Sequence, residues 1–489
     1  MIIPRRWFLL ITSLGIVFLL TVGFLLRNGI DQAPGPIQDL HDKVSPPPEG
    51  PRYKPQTAPK ALPIVDNFPL AAQAHSASEL PPIPLWSHPP SPHIAEKTPL
   101  FIGFTRNWRL LQQVVVSYIT AGWPPEDIYV VENTGVLDAN KLGQLSLQNP
   151  FFLNHTRLEM LGVNILITPT LFTFAQLQNF YLWTSTMEKW TYYFWSHMDV
   201  VAVPFEDRYP KDHPNVDPKA KDLKFDDFRS LYDYCVEALR EVLVAKDKET
   251  GKPLRWAMRF FSYDRLALVN VSSFREVGGW DTMIPFYMTD CDMHARLEMA
   301  KFNIEDRPAG LIYDVGSSLD DLIVLYRKKS DPTGKEIKPA SFQDPREVEA
   351  KLAAIAATEK ELEKQGKAKT DSPEVPKREV LARDESSPVP ASIWEEDTIN
   401  SENFITLAST LDRMQNSKNG GGSRNNWQSR QMGGQGDPFY RDSAGFEQAI
   451  QMTIEHGRVV FREKWGHRDC DIVAKGYRPE DAWRVDHDW

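Results

Sequence analysis

Proline placement constrains this chain more than any other feature. Seventeen of its 38 prolines fall between Pro34 and Pro99. Proline fixes φ and lacks an amide donor, so neither a regular helix nor a central strand survives at that density. The stretch is expected to contribute nothing to a core and to extend in polyproline geometry as a stem; plain disordered chain without a spacing function explains the same composition. A second poor stretch, 331–437, is rich in Lys, Glu, Gly, Ser and Asn. Of 489 residues, 100–330 and 438–489 remain to build one large core, the second segment completing the first. Residues 331–437 read as a low-complexity insertion, a solvated loop with either an exposed helix or disordered chain over Asp344–Lys367.

The stem needs something to stand on. Trp7–Leu26 is an uncharged, mostly apolar run of 20 residues, about 30 Å as a helix and so matched to a bilayer core. Arg5 and Arg6 precede it and only Arg27 follows at once, which favours a cytoplasmic tail over 1–6 and export of the rest. The run is long for a cleaved signal and no clean small-residue cleavage site follows. The expectation is a single-pass, type II signal anchor over 7–26 and a stem over 27–99. The sequons at Asn154 and Asn270 agree with a lumenal location, Asn154 being the better glycan candidate. A net charge of −10 without a basic patch argues against nucleic acid as a partner. The three cysteines, Cys235, Cys291 and Cys470, exclude a disulfide-dense scaffold and a Cys-rich zinc module. They are read as buried thiols, with at most one disulfide.

Between 100 and 330, apolar runs fit for buried strands alternate with segments of helical period. Leu100–Phe104, Ile128–Glu132, Val163–Thr168, Thr191–Trp195, Arg255–Phe261 and Leu266–Asn270 are expected strands. Trp108–Ala121, Phe174–Lys189, Asp226–Val244 and Asp290–Phe302 are expected helices. The fold class is therefore α/β, an open, mostly parallel sheet flanked by helices. Ligands bind such sheets at the carboxyl ends of strands. That singles out Thr105, Arg106, Glu132, His197, Asp199 and Asp264. No glycine-rich phosphate loop follows the first strand, which excludes a P-loop or a dinucleotide fingerprint.

Two constellations carry chemistry. In Tyr192–Val201 a very apolar strand runs into His197-Met198-Asp199. Residues two apart on an extended chain point the same way, and both side chains can ligate a divalent cation that in turn holds a diphosphate. A strand-end turn with a solvated Asp and a packed His explains the same residues. The second is Gly278-Gly279-Trp280-Asp281, followed by Thr289-Asp290-Cys291-Asp292-Met293-His294-Ala295-Arg296-Leu297. A carboxylate opening a helix is held by free backbone amides and can stay ionised as a general base. It can equally be an N-cap, with the glycine pair a C-cap.

Together these elements resemble the GT-A fold of inverting, nucleotide-sugar-dependent glycosyltransferases. In that group a strand ends in a DxD motif, and a GGxD turn precedes a helix start of the form [ED]D-x-D-h-x-x-R-L, whose second acid is the catalytic base. Here the GGWD turn and the Asp290–Leu297 helix start match. The DxD position reads His197-Met198-Asp199, and Thr289 replaces the first acid of the pair. The resemblance implies Asp290 as base and Asp199, His197 and Asp314 as ligands of a divalent cation, Mn²⁺ by preference. It implies Thr105, Arg106, Glu132, Asp199 and Lys464 on the donor nucleotide, and Gly279, Trp280, Asp281 and Asp292 around the sugar and acceptor. It further implies hexosyl transfer from a UDP- or GDP-sugar to a glycan, glycolipid or glycoprotein acceptor, at the Golgi membrane with the catalytic domain lumenal. Two rival classes stay open: an inactive scaffold or chaperone of another transferase, motivated by His197 and Thr289, and a membrane-anchored metal hydrolase, against which the lack of an HExxH or a His cluster counts.

Overall fold

The computed structural model describes residues 63–206, 228–344, 401–420 and 443–489, with a few positions besides. The tail 1–6, the anchor segment 7–26 except Val17, and the stem over 27–49 and 52–62 lie outside the described residues. Among those described, no helix is long and apolar enough to cross a membrane. The chain divides into two units, Met1–Leu62 and Pro63–Trp489, and the second carries the sheet.

The elements of this second unit, in chain order, are α1 (Pro69–Gln73), β1 (Leu100–Phe104), α2 (Trp108–Thr120), β2 (Ile128–Glu132), α3 (His155–Met160), β3 (Asn164–Ile167), α4 (Phe174–Met187), β4 (Tyr192–Ser196) and β5 (Val200–Val203). Then come α5 (Leu231–Val244), β6 (Trp256–Phe260), β7 (Leu266–Asn270), α6 (Val271–Glu276), α7 (Thr289–Met299), β8 (Asn303–Asp306) and β9 (Leu311–Asp314). Two long helices complete it, α8 (Ser401–Asn419) and α9 (Ser443–Trp465). The main sheet has seven strands in the order β3-β2-β1-β4-β7-β6-β8. Four of its six pairings are parallel, and the two antiparallel ones both involve β7. The mixed α/β architecture and largely parallel sheet match the expectation.

Period-2 alternation explains the layers. Leu100, Ile102 and Phe104 of β1 enter the core on one face, with Leu111, Val114 and Val115 of α2. Phe101 points the other way, into a cluster with Val131, Tyr181, Tyr193 and Trp195. Helices thus cover both faces, as parallel strands buried on two sides require. A separate two-stranded ladder pairs β5 with β9, antiparallel, in the register Val200↔Asp314. Val315 N donates to Asp199 O at 2.8 Å beside it.

Three expectations need correction. The stem does not run to residue 99. Asn67 and Phe68 are fully buried, Phe68 packs on Tyr326 with ring centroids 5.9 Å apart, and α1 starts at Pro69, where proline's missing amide costs nothing. The insertion is not wholly a solvated loop either. In α8, Phe404, Leu407, Leu411 and Met414 fall on one helical stripe and are buried against the main core, each contributing roughly 1.5–3 kcal/mol of burial. Finally, Cys291 and Cys470 are not buried thiols but form a disulfide, which fastens α7 to the segment after α9. Cys235 alone remains a free, buried thiol.

Candidate active site

The ladder of β5 and β9 builds the acid pair. Because Val200 stands opposite Asp314, Asp199 just ahead of β5 meets the end of β9. Their carboxylates converge on one cation, the ammonium of Lys418: 2.6 Å from Asp199 Oδ2 and 2.5 Å from Asp314 Oδ1. All three side chains are well buried, the lysine 5 % exposed and the acids 10 % and 14 %. Burial works against ionising Asp199, but Lys418 and His197 outweigh it and hold the carboxyl below its usual range. Burial likewise works against the charge on Lys418, and the two acids outweigh it and raise its pKa. Carboxylate oxygens aimed at a single point are the donor set that hard divalent cations take. The ammonium is a stand-in cation at that point, so Asp199 and Asp314 fit the metal that the resemblance implies.

His197 does not complete that set. Its Nδ1 lies 4.0 Å from Asp199 Oδ1, while its Nε2 faces Asp264 Oδ2 at 3.5 Å. Burial lowers the pKa of His197, but Asp264, Asp199 and Asp314 together raise it above the ordinary imidazole value. Among the described residues, the set of three whose ligand atoms lie within 4.8 Å of one another is elsewhere: His467, Asp469 and Asp471.

Asp290 sits in the first turn of α7, half-buried. The capping position is Met288, in the left-handed region at φ 73°, and its side chain makes no cap bond. The carboxylate is therefore not occupied as an N-cap. Tyr263 Oη donates to Asp290 Oδ2 at 3.3 Å. One turn on, His294 feels the charges of both Asp290 and Asp264, though burial dominates and lowers its pKa. Asp264 faces His197 in turn. The helix start and the acid pair thus belong to one run of titratable side chains.

Most of the other residues singled out from the sequence are tied into the fold. Glu132 is buried and saturated: Asn140 Nδ2 donates to it at 2.6 Å and His155 Nε2 lies 2.7 Å away. It ties down the loop after β2. Trp280 is buried against Phe174 and Phe274 and offers no open face to a sugar. Asp292 is fully buried among Arg296 Nε at 2.8 Å, Lys464 Nζ at 2.7 Å and Trp465 Nε1 at 3.0 Å. Lys464 also reaches Asp281 Oδ2 at 2.7 Å, so Asp281, Asp292 and Lys464 form an internal tie. Burial opposes ionisation of Asp281, and Lys464 overrides it and lowers that pKa. Gly279 takes φ +73°, and a Cβ there would come 2.8 Å from Asn179 Oδ1, which receives Trp280 N. It shapes the turn.

Thr105 lies half-buried at the end of β1. Arg106 is buried with its guanidinium 4.7 Å from the Phe446 ring centroid, and burial pushes its pKa down to about 10 despite Glu447 nearby. Asn154 caps α3 by accepting from Arg157 N at 3.0 Å. At Asn270, the amide nitrogen that a glycan would need donates to Trp256 O at 2.9 Å, which argues against glycosylation there. Its Oδ1 accepts from Ser272 N at 3.0 Å, so Asn270 caps α6. Lys418 was missed altogether. Its signal was present: it extends the stripe Phe404, Leu407, Leu411, Met414 by four residues, a charge at the end of an apolar face.

No protein-family model matches the chain, and no curated protein matches its sequence. Among solved structures it is similar to a mannosyltransferase from Pyrobaculum calidifontis in complex with GDP-Man and Mn²⁺, at 13% identity and a TM-score of 0.27, covering 46% of this chain and 58% of that one. A cytidylyltransferase from Leptospira borgpetersenii gives 10% identity and 0.26, over 44% of this chain and 76% of that one. TarS from S. aureus gives 6% and 0.27, over 43% and 35%. Overlaps at these scores establish neither fold nor chemistry for this chain.

Proposed function

We propose that this chain is a glycosyltransferase that moves a sugar from a nucleotide-sugar donor to an acceptor hydroxyl with inversion at the anomeric carbon. The observation that carries the reading is the join between two sites: a buried acid pair converging on a cation, and an uncapped carboxylate at a helix start. Asp290 accepts the proton of the attacking acceptor hydroxyl at a carboxylate oxygen, with Tyr263 orienting it. Asp199 and Asp314 would hold a divalent cation, which supplies charge neutralisation to the departing nucleoside diphosphate. His197, kept basic by Asp264, adds positive character beside the acid pair. The Cys291–Cys470 disulfide supports a lumenal site of action, since such bonds persist in oxidising compartments. A type II anchor over 7–26 and a Golgi location belong to the same proposal.

Asp290→Asn is the direct test. It is expected to cut kcat by about 10²–10⁴-fold while donor binding persists, measured by sugar release from the nucleotide and transfer to an acceptor panel. Undiminished transfer would sink the base assignment. Product stereochemistry by NMR tests inversion. The lysine on the acid pair favours a second reading, a non-catalytic scaffold; donor binding without turnover across the panel would select it.

A further inference from the structure

Lys418 comes from α8, a helix of the 331–437 segment that packs on the sheet-bearing core, and reaches the point where Asp199 and Asp314 meet. The reach is built in. The stripe that seats α8 also directs Lys418 inward, because residues four apart share a helix face. Gln415 fixes the register, its Oε1 accepting from Asp314 N at 2.9 Å. The lysine stem passes over Gly316, where an added Cβ would stand 3.4 Å from its Cγ.

The charges do not balance. Two carboxylates face one ammonium, which leaves a unit of negative charge. His197 does not close the gap, since Asp264 stands on its other side at 3.5 Å. An anionic diphosphate would be repelled from such a surface, strongly so where water is excluded. A divalent ion would correct the count, but it needs the carboxylate oxygens that the ammonium holds. The two cations would also repel each other, so they exclude one another.

We propose that Lys418 is a tethered competitor for the divalent cation: it neutralises the acid pair in the metal-free chain and leaves Asp199 and Asp314 when a metal ion binds. The inference rests on reading that pair as the donor-side cation site of a glycosyltransferase. It explains how two acids stay buried without a metal. It also leaves the released ammonium, on a flexible four-carbon stem, close to where donor phosphates would lie.

Mn²⁺ alone, added to the full chain, provides the test. Acylation of Lys418 by an amine-reactive reagent, read by mass spectrometry, is expected to speed up about ten-fold at saturating Mn²⁺. Lys418→Met is expected to bind Mn²⁺ about ten-fold more tightly than wild type, because no fraction of sites is self-occupied, and adding Asp199→Asn should erase that gain. Paramagnetic resonance of free Mn²⁺ measures both affinities. Unchanged acylation at saturation, equal affinity in Lys418→Met, or no Mn²⁺ binding to either protein overturns the proposal. If Lys418→Met does not fold, wild-type acylation decides alone. Neither readout involves sugar transfer. A chain that transfers sugar while Lys418 stays protected keeps the function and loses this inference; one that releases Lys418 but transfers nothing does the reverse.

Discussion

Two lysines in this molecule each lie between two aspartates, and the two settings differ. Lys464 joins Asp281 and Asp292 at 2.7 Å each, and Arg296 adds a second cation on Asp292 at 2.8 Å. Two positive and two negative charges close that group, which locks the GGWD turn, α7 and α9 together. Lys418 joins Asp199 and Asp314 with a single ammonium. Closed groups of this kind fasten a fold, whereas a group one cation short has reason to exchange. The lesson is that a buried lysine between acids must be read by its charge count, since burial and distance look alike in the two places.

The comparison breaks first, and most expensively, at Asp292. Asp292→Ala leaves the two cations Lys464 and Arg296 with Asp281 as the one carboxylate of the group and is expected to cost about 3–5 kcal/mol, seen as a large fall in melting temperature. Next comes the seat of α8. Leu411→Ala should cost about 3 kcal/mol through its cavity, and it should also loosen Lys418, detectable as faster acylation there. Lys464→Met and Lys418→Met then separate the two groups. Both should destabilise, but Mn²⁺ should restore melting temperature only in Lys418→Met, which frees both carboxylates, whereas in Lys464→Met Arg296 still holds Asp292. Equal rescue, or none, would erase the distinction.

The smallest effect concerns Asp321, whose carboxyl burial pushes up to about 6. A raised folded-state pKa means that the protonated form suits the fold. That contribution is complete below the ordinary carboxylate value and is lost as pH rises through about 6. Asp321→Asn should therefore be more stable than wild type at pH 7.5 by about 1 kcal/mol and no different at pH 4. Its Oδ1 accepts from Ile323 N at 3.1 Å, a bond that asparagine can keep.

Much of the sheet was legible because its strands are short apolar runs bounded by breakers. Leu100–Phe104, Ile128–Glu132 and Leu266–Asn270 are strands with those very bounds. The antiparallel insertion of β7 between β4 and β6 was not legible, since pairing partners are chosen by tertiary packing. Nor was the β5–β9 ladder, two four-residue pieces with little signal of their own. Of the residues read from sequence for the site, Asp199 and Asp314 meet at one cation and Asp290 opens α7 without capping it. Glu132, Trp280 and Asp292 are buried with internal partners, which the sequence did not foretell because an acid after a strand or an aromatic after two glycines serves a core as readily as a ligand. Lys418 was hidden by composition: α8 is a clear helical stripe set in polar, glycine-rich sequence that reads as loop when averaged over a hundred residues.

The bond between Cys291 and Cys470 closes a covalent ring that contains α8 and everything else between these two residues. A protease that cuts the backbone once inside that ring does not divide the molecule. The nicked product would migrate as one species until a reductant is added and as two afterwards. The segment that carries Lys418 can therefore be cleaved or lengthened while α7, with Asp290, keeps its covalent tie to the C-terminal end of the chain.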